Sequence, residues 1–152
     1  MASASNEVTY TYNDDGTIAT MTDRNGTTHA YEYDDDGNQI ADVVTTLGAG
    51  VDGTVMERDT SYNDEDQPID YTTKNAAGSV LSQIDETYNG DGDVTEEAQS
   101  HNGEVDDDTP SVSYGYEDTA GGQDRQTSLT YPDGREIAYG YGSSASGVPS
   151  PW

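Results

Sequence analysis

The chain has 152 residues, with 31 Asp and Glu against 5 Lys and Arg, a formal charge of -26, and only 18 Leu, Ile, Val and Phe together. So little aliphatic material under so much like charge falls in the composition range of disordered chains. The five cations, Arg24, Arg58, Lys74, Arg125 and Arg135, are scattered, which excludes a nucleic-acid partner and docking on an anionic membrane; the absence of cysteine excludes disulfides, thiolate metal sites and a cysteine nucleophile.

Residues 1–7 read as a lead-in with neither the basic start nor the apolar run of a signal peptide, so an exported form would carry its signal elsewhere or use another route. From Val8 onward a period of two sets in: Val8, Tyr10 and Tyr12 alternate with Glu7, Thr9 and Thr11, which predicts a half-buried strand. Tyr10-Thr-Tyr12-Asn-Asp-Asp-Gly16 then recurs as Tyr31-Glu-Tyr33-Asp-Asp-Asp-Gly37, 21 residues further on. Two weaker copies follow, Thr60-Ser-Tyr62-Asn-Asp-Glu-Asp66 and Glu86-Thr-Tyr88-Asn-Gly-Asp-Gly92, 26 residues apart. Tyr114-Gly-Tyr116-Glu-Asp and Tyr139-Gly-Tyr141 close the series, the last preceded by the alternation of Ile137 and Tyr139 with Glu136 and Ala138.

A second element lies midway between the tyrosine pairs. Gly26 precedes Tyr31 by five residues and Gly134 precedes Tyr139 by five; superposing them also places Met21 on Leu129 and Tyr33 on Tyr141. Gly53, Gly78 and Gly103 take the same role with longer gaps before the next tyrosine, as insertions in loops would produce. The strands are expected to end at Asp15-Gly16, Asn25-Gly26, Asp36-Gly37, Asp52-Gly53, Asn89-Gly90, Asp91-Gly92, Asn102-Gly103 and Asp133-Gly134, dipeptides that accept the positive φ of tight hairpin turns.

The predicted fold is therefore all-β, with about ten short antiparallel strands in a meander that builds a twisted, spiralling sheet, and no helix. The repeat domain spans 8–142, and 143–152, rich in Ser, Gly and Pro, is a tail or linker. One face should be aromatic and the other wet, the 12 Tyr and 19 Thr suiting a pleated, half-buried surface. With so thin a core the sheet is expected to be marginal alone and to gain stability from further repeats, another copy or bound cations.

These residues resemble the RHS or YD-repeat family, whose unit reads tyrosine, any residue, tyrosine, Asp or Asn, two residues, then glycine. Leu129-Thr-Tyr-Pro-Asp-Gly134-Arg-Glu-Ile-Ala-Tyr-Gly-Tyr141 is the segment most similar to that unit, and the resemblance runs from Val8 to Gly142. It departs at Thr60 and Glu86, which replace the first tyrosine of their pairs. The resemblance implies a long sheet that spirals into a hollow shell, as in bacterial RHS toxins, the cocoon of insecticidal toxin complexes and the teneurins, and an extracellular or cell-surface location. The aspartate autoproteolysis motif of RHS toxin shells, with its Asp-Pro-x-Gly, is absent, since Asp133-Gly134 follows Pro132 in the opposite order.

The carboxylate runs Asp34 to Asp36, Asp64 to Asp66 and Asp106 to Asp108, and the alternation of Asn89, Asp91 and Asp93, have the oxygen chemistry that calcium takes. None completes a known loop, and turn-forming Asp and Asn explain the composition, so no metal and no cofactor is assigned. His29 and His101 have no nucleophile paired with them by sequence; Ser100 and His101, adjacent on a strand, would point to opposite faces, and both histidines read as solvated strand or turn residues. Asn25-Gly26-Thr27 matches a glycosylation sequon but serves as a turn. No catalytic residue is assigned. The candidate residues are structural ones that carry the repeat: Tyr10, Tyr12, Gly16, Gly26, Tyr31, Tyr33, Gly37, Tyr62, Tyr88, Gly92, Tyr114, Tyr116, Gly134, Tyr139 and Tyr141.

The sequence thus points to a non-enzymatic scaffold, a segment of a β-shell or of an extracellular fibre, whose partners are further repeats or other copies meeting through open sheet edges. The alternative is a cell-surface adhesion module that binds carbohydrate, with the tyrosine rows stacking on sugar rings rather than filling a core. Neither nucleic acid nor membrane insertion enters either reading.

Overall fold

The structure, a computed structural model, describes residues 7–118 and 124–141. These form one antiparallel sheet of eleven strands whose spatial order is their order in the chain. The strands are β1 (Thr9–Tyr12), β2 (Ile18–Thr22), β3 (Thr28–Tyr33), β4 (Gln39–Thr46), β5 (Glu57–Tyr62), β6 (Pro68–Lys74), β7 (Val80–Tyr88), β8 (Val94–Ser100), β9 (Ser111–Asp118), β10 (Asp124–Thr130) and β11 (Glu136–Ala138). The protein is all-β, and no helix occurs among the described residues. The tail at 143–152 lies outside the described residues.

Most of the turns share one chemistry. The first residue of the turn, Asn or Asp, donates its N–H to the carbonyl four residues on and accepts on its own carbonyl the N–H three residues on: Asn13 with Thr17 and Gly16, Asp34 with Asn38 and Gly37, Asn63 with Gln67 and Asp66, Asn89 with Asp93 and Gly92. Its side-chain oxygen is a second acceptor, as when Asp34 takes the N–H groups of Asp36 at 3.0 Å and Asn38 at 2.8 Å. A short polar side chain that bonds the backbone two residues on is the reason Asp and Asn favour turns. Asp15, Asp23, Asp34, Asp52, Asp106 and Asp133 are the acids that accept a backbone N–H two residues on in this way.

Each such turn has a single residue at positive φ, in its fourth position, the pattern of a type I turn followed by a left-handed residue rather than of the two-residue turns expected from Asn-Gly and Asp-Gly. Gly134 has φ 80 and Gly37 φ 92, and at Gly78 the same geometry follows Ala77. Asp66 occupies the position with φ 60, the one non-glycine with positive φ among the described residues. Two expected turn glycines are corrected. Gly90 is the second residue of the Asn89 turn and Gly53 lies in the 47–56 connection; neither has positive φ, and Gly53 is small because Leu47 packs on it.

Next to four of these turns the strand that leaves the turn carries one extra residue opposite the tyrosine that enters it. Tyr12 pairs with Ile18 and Thr11 with Thr20, which leaves Ala19 over; Ile40, Ile69 and Thr95 are the extra residues beside Tyr33, Tyr62 and Tyr88. Such a bulge bends its strand and raises the local twist. Four tyrosine hydroxyls then reach back across one strand. Tyr62 donates to the carbonyl of Gln39 at 3.2 Å, Tyr88 to Pro68 at 2.8 Å, Tyr116 to Val94 at 2.8 Å and Tyr141 to Gln126 at 2.9 Å. Gln39, Pro68 and Val94 are the opening residues of β4, β6 and β8, and each pairs with the tyrosine of the preceding unit. From Tyr62 onward each unit is thereby joined to the one before by a bond of the same kind.

The sheet is a single layer, so neither face is sealed from water. Ala41 is the sole buried hydrophobic residue among those described, and Thr27 and Thr72 are the buried polar ones. Apart from the exposed Tyr71 on β6, the tyrosines are half-buried along the interior strands and open at both ends of the sheet, where Tyr12 is 64% and Tyr141 48% exposed. β11 stops at Ala138 although the alternation continues to Tyr141 and Tyr139 still donates its N–H to the carbonyl of Thr127, the residue that bulges from the β9–β10 pairing. Two connections fold back on the sheet. In 47–56, Gly48 donates to the Thr27 hydroxyl at 3.2 Å; in 101–110, Val105 donates to Gln83 Oε1 at 2.9 Å.

A Cβ at Gly134 would meet nothing within 4 Å, so its requirement for glycine is one of backbone conformation alone. Gly134→Val is expected to destabilise the protein by about 1–2 kcal/mol, the cost of holding a side-chain residue in the left-handed region. Asp107→Asn, in an exposed connection, should change stability by less than about 0.5 kcal/mol. Urea denaturation of the two variants checks the contrast.

Candidate functional site

The polar face between β5 and β8 carries a groove of about 870 Å³ whose wall includes Ser61, Asp70, Gln83, Asp85 and Thr87. Its centre follows from register. Asp70 on β6 lies directly opposite Asp85 on β7, and Thr72 lies opposite Gln83. The Gln83 amide donates to both carboxylates, to Asp70 and to Asp85 at 2.9 Å, while Thr72 donates to Asp70 at 2.9 Å. Burial, and then a hydrogen bond from Asp70 and the charge of that neighbour, push the Asp85 carboxyl above its ordinary range. Two carboxyls that share a hydrogen bond cannot both ionise freely, so the pair holds a proton more tightly than a solvated aspartate does.

Beside this pair sits the single lysine. Lys74 bonds Glu57 at 2.9 Å and also Asp59, and these two acids raise its pKa. The other face carries His29 Nδ1 against Asp42 Oδ1 at 2.6 Å, with the imidazole stacked on Tyr31 at 6.2 Å between centroids. His29 is thus a half-buried, paired strand residue, not the solvated one expected. The small recess around it is lined by Val44, Val55, Met56, Glu57 and Arg58, with no hydroxyl or thiol among them. His101 lies just past the end of β8, exposed, so it does not share a strand with Ser100. Arg125 and Arg135 lie over the rings of Tyr141 and Tyr131, at 5.3 and 4.3 Å, so these cations cover aromatic surface.

A third group is invisible in the sequence because three segments supply it. Asp91, from the turn after β7, Asp118, at the end of β9, and Asp124, at the start of β10, bring carboxylate oxygens within 4.8 Å of one another. Oxygens so placed have the chemistry to take a hard cation. Burial pushes the Asp124 carboxyl up to about 6, aided by a hydrogen bond with Asp93 and by the charges of Asp91 and Asp118. Of the sequence's calcium candidates, Asn89 and Asp34 spend their side-chain oxygens on turn N–H groups instead. The repeat tyrosines stay apart as a row and converge on no common point; Tyr62 and Tyr88 each end a strand, one unit apart. Burial, then the hydrogen bond and charge of Glu86, push the Tyr88 phenol up to about 12, which keeps it a donor throughout the physiological range.

No family model matches the chain, and no curated protein matches it.

Two outcomes follow. Tyr88→Phe removes a hydroxyl that bonds Pro68 and Glu86 and should cost about 1 kcal/mol, whereas Tyr12→Phe, at the exposed end of the first strand, should be neutral within about 0.5 kcal/mol. Thermal melts of both variants check this. For pH, Asp124 and Asp85 are raised in the folded state, so the folded protein takes up protons that the unfolded chain does not; stability should rise as pH falls from about 7 to about 5. Asp15, Asp52 and Glu57 are lowered by bonds from Thr17, Thr54 and Lys74, and their contribution is lost as pH falls below about 4. A melting-temperature profile should therefore peak near pH 5, and Asp124→Asn should flatten its upper limb.

Proposed function

We propose that this chain is a non-enzymatic structural scaffold, a segment of a repeat-built β-sheet of the RHS or YD type that forms part of an extracellular or toxin-encapsulating shell or of a self-assembling extracellular fibre. The observation that carries this reading is the bond from tyrosine hydroxyl to a carbonyl of the strand before it, made by Tyr62, Tyr88 and Tyr116 to the strand-opening residue and by Tyr141 to Gln126. The residues that recur in the sequence are the ones that join each unit to the one before, so the repeat serves extension of a sheet. The carboxyl pair in the groove is put to structural use in keeping with this reading: Asp70 accepts from Thr72 and Gln83, and the same Gln83 amide bridges to Asp85 on the next strand.

A second reading is a carbohydrate-binding adhesion module. The groove between β5 and β8 favours it, being lined by hydroxyl, amide and carboxyl groups of the kind that bond sugar hydroxyls.

The two separate on truncation. Ending the chain after Asp118 removes β10 and β11 but leaves β1 to β9 and the groove complete. A scaffold of additive units should keep its β-sheet circular dichroism per residue and melt at a lower temperature, and neither form should bind a glycan array saturably. Total loss of structure would defeat the unit-by-unit reading. Saturable glycan binding lost in Gln83→Ala would establish the adhesion module in its place.

A further inference from the structure

The strand order leaves β1 and β11 as the two edges, and they differ in what they offer. Asn13 donates its N–H to Thr17 across the first turn, so by alternation Thr11 and Thr9 also direct their backbone groups to β2. Val8, Tyr10 and Tyr12 direct theirs away from it, where no described strand receives them. At the other end Tyr139 donates to Thr127, so Ile137 faces inward and the outward backbone belongs to Glu136 and Ala138. β11 is three residues long and opens on an acid, features that blunt an edge, whereas β1 reads Thr-Tyr-Thr-Tyr with no charge in a chain of net charge -26. Val8, Tyr10 and Tyr12 are 40%, 49% and 64% exposed.

We propose that β1 is the docking edge for a second copy of this chain, the two β1 strands pairing antiparallel about a two-fold axis at Tyr10. This rests on the scaffold reading and names its partner. Direction selects the geometry. With eleven strands the two edges run the same way, so a copy added head to tail would pair β11 with β1 in parallel, in a sheet that is otherwise antiparallel throughout. A rotated copy pairs β1 with β1 antiparallel. Register follows from the faces and the outward groups together. Centring on Tyr10 sets Tyr10 against Tyr10 and Val8 against Tyr12, three pairs in which every residue directs its N–H and C=O across the junction, and it keeps the aromatic side chains on one face. The opposite face then sets Thr9 against Thr11. That repeats the cross-strand hydroxyl pairs inside the sheet, Thr11 with Thr20 at 2.6 Å and Thr22 with Thr28 at 2.9 Å. Because an isologous contact closes on itself, the product of this edge is a dimer with one continuous sheet, not a fibre.

The test uses the full chain by sedimentation velocity at about 1 M salt, where the Debye length of roughly 3 Å screens the like charges. The wild type is expected at twice the chain mass, with more monomer at low salt. Tyr10→Pro removes only an outward N–H and should be monomeric with unchanged circular dichroism; Tyr10→Glu, which sets like charges across the axis, gives the same result if the proline variant fails to fold. The chain has no cysteine, so Tyr10→Cys can form a disulfide only between copies. Its Cα atoms, roughly 5.5 Å apart in a hydrogen-bonded antiparallel pair, suit that bond; mild oxidation should trap covalent dimer from Tyr10→Cys and not from Ala138→Cys. A monomer at all salt concentrations, a dimer that survives Tyr10→Glu, or cross-linking through Ala138→Cys instead would overturn the proposal. None of these would touch the truncation result, which concerns the units and not the β1 edge.

Discussion

A phenol that donates to the carbonyl opening the strand before it is the bond on which the rest of the sheet depends. A single layer cannot enclose a core, and Ala41 alone among the described apolar residues is buried. Lateral contacts between neighbours must then do what a second layer does in a sandwich. Tyr62, Tyr88, Tyr116 and Tyr141 each contribute an aromatic ring to the sheet and a hydroxyl that ties it to the strand before. A net bond of about 1 kcal/mol is small, but it recurs with the unit, and in a quasi-one-dimensional array nearest-neighbour terms add. The bulges at Ile40, Ile69 and Thr95 belong to the same device, since each sits beside the turn in a strand whose opening carbonyl the next tyrosine reaches.

Part of the charge that looked hostile to folding is put to structural use, as at Asp15, Asp23 and Asp34, whose carboxylates accept turn N–H groups. Asn13, Asp34, Asn63 and Asn89 organise turns with their main chain, and Asp34, Asn63 and Asn89 do so with their side chains as well. Lys74 holds two acids, and Gln83 ties together two more. Three carboxylates also converge from separate segments, at Asp91, Asp118 and Asp124, and their mutual repulsion adds at that corner to the charge carried by the rest of the sheet.

The all-β meander was legible because Tyr-x-Tyr alternation and the turn dipeptides report on residues adjacent in the chain. Positive φ at Gly16, Gly26, Gly37, Gly92 and Gly134 is local chemistry of that kind. Gly53 and Gly90 could not be told from these by their preceding Asp or Asn, since what decides is whether the glycine falls fourth in its turn. Asp66 does the same work without being glycine. The bulges were out of reach for a different reason: one extra residue in a strand changes no local pattern, only the pairing opposite. The Asp70–Asp85 contact, the His29–Asp42 pair and the Asp124 corner all depend on register across two or more strands, and a single sequence does not encode register in any local signal. The tyrosine joins fall between these cases. Their residues announce themselves by repetition, while their acceptors are backbone carbonyls that any side chain could overlie.

Because the spatial order of strands is the order of the chain, the two ends of the sheet are also the two ends of its connectivity. Tension applied between them would not shear many ladder bonds at once. It would open the outermost hairpin as a zipper opens, then the next, each releasing its own length of chain before the following one feels the load. The tyrosine joins would mark the steps, with resistance rising at each hydroxyl and falling once it lets go. A layer built this way yields gradually under strain and can re-form from whichever hairpins are left.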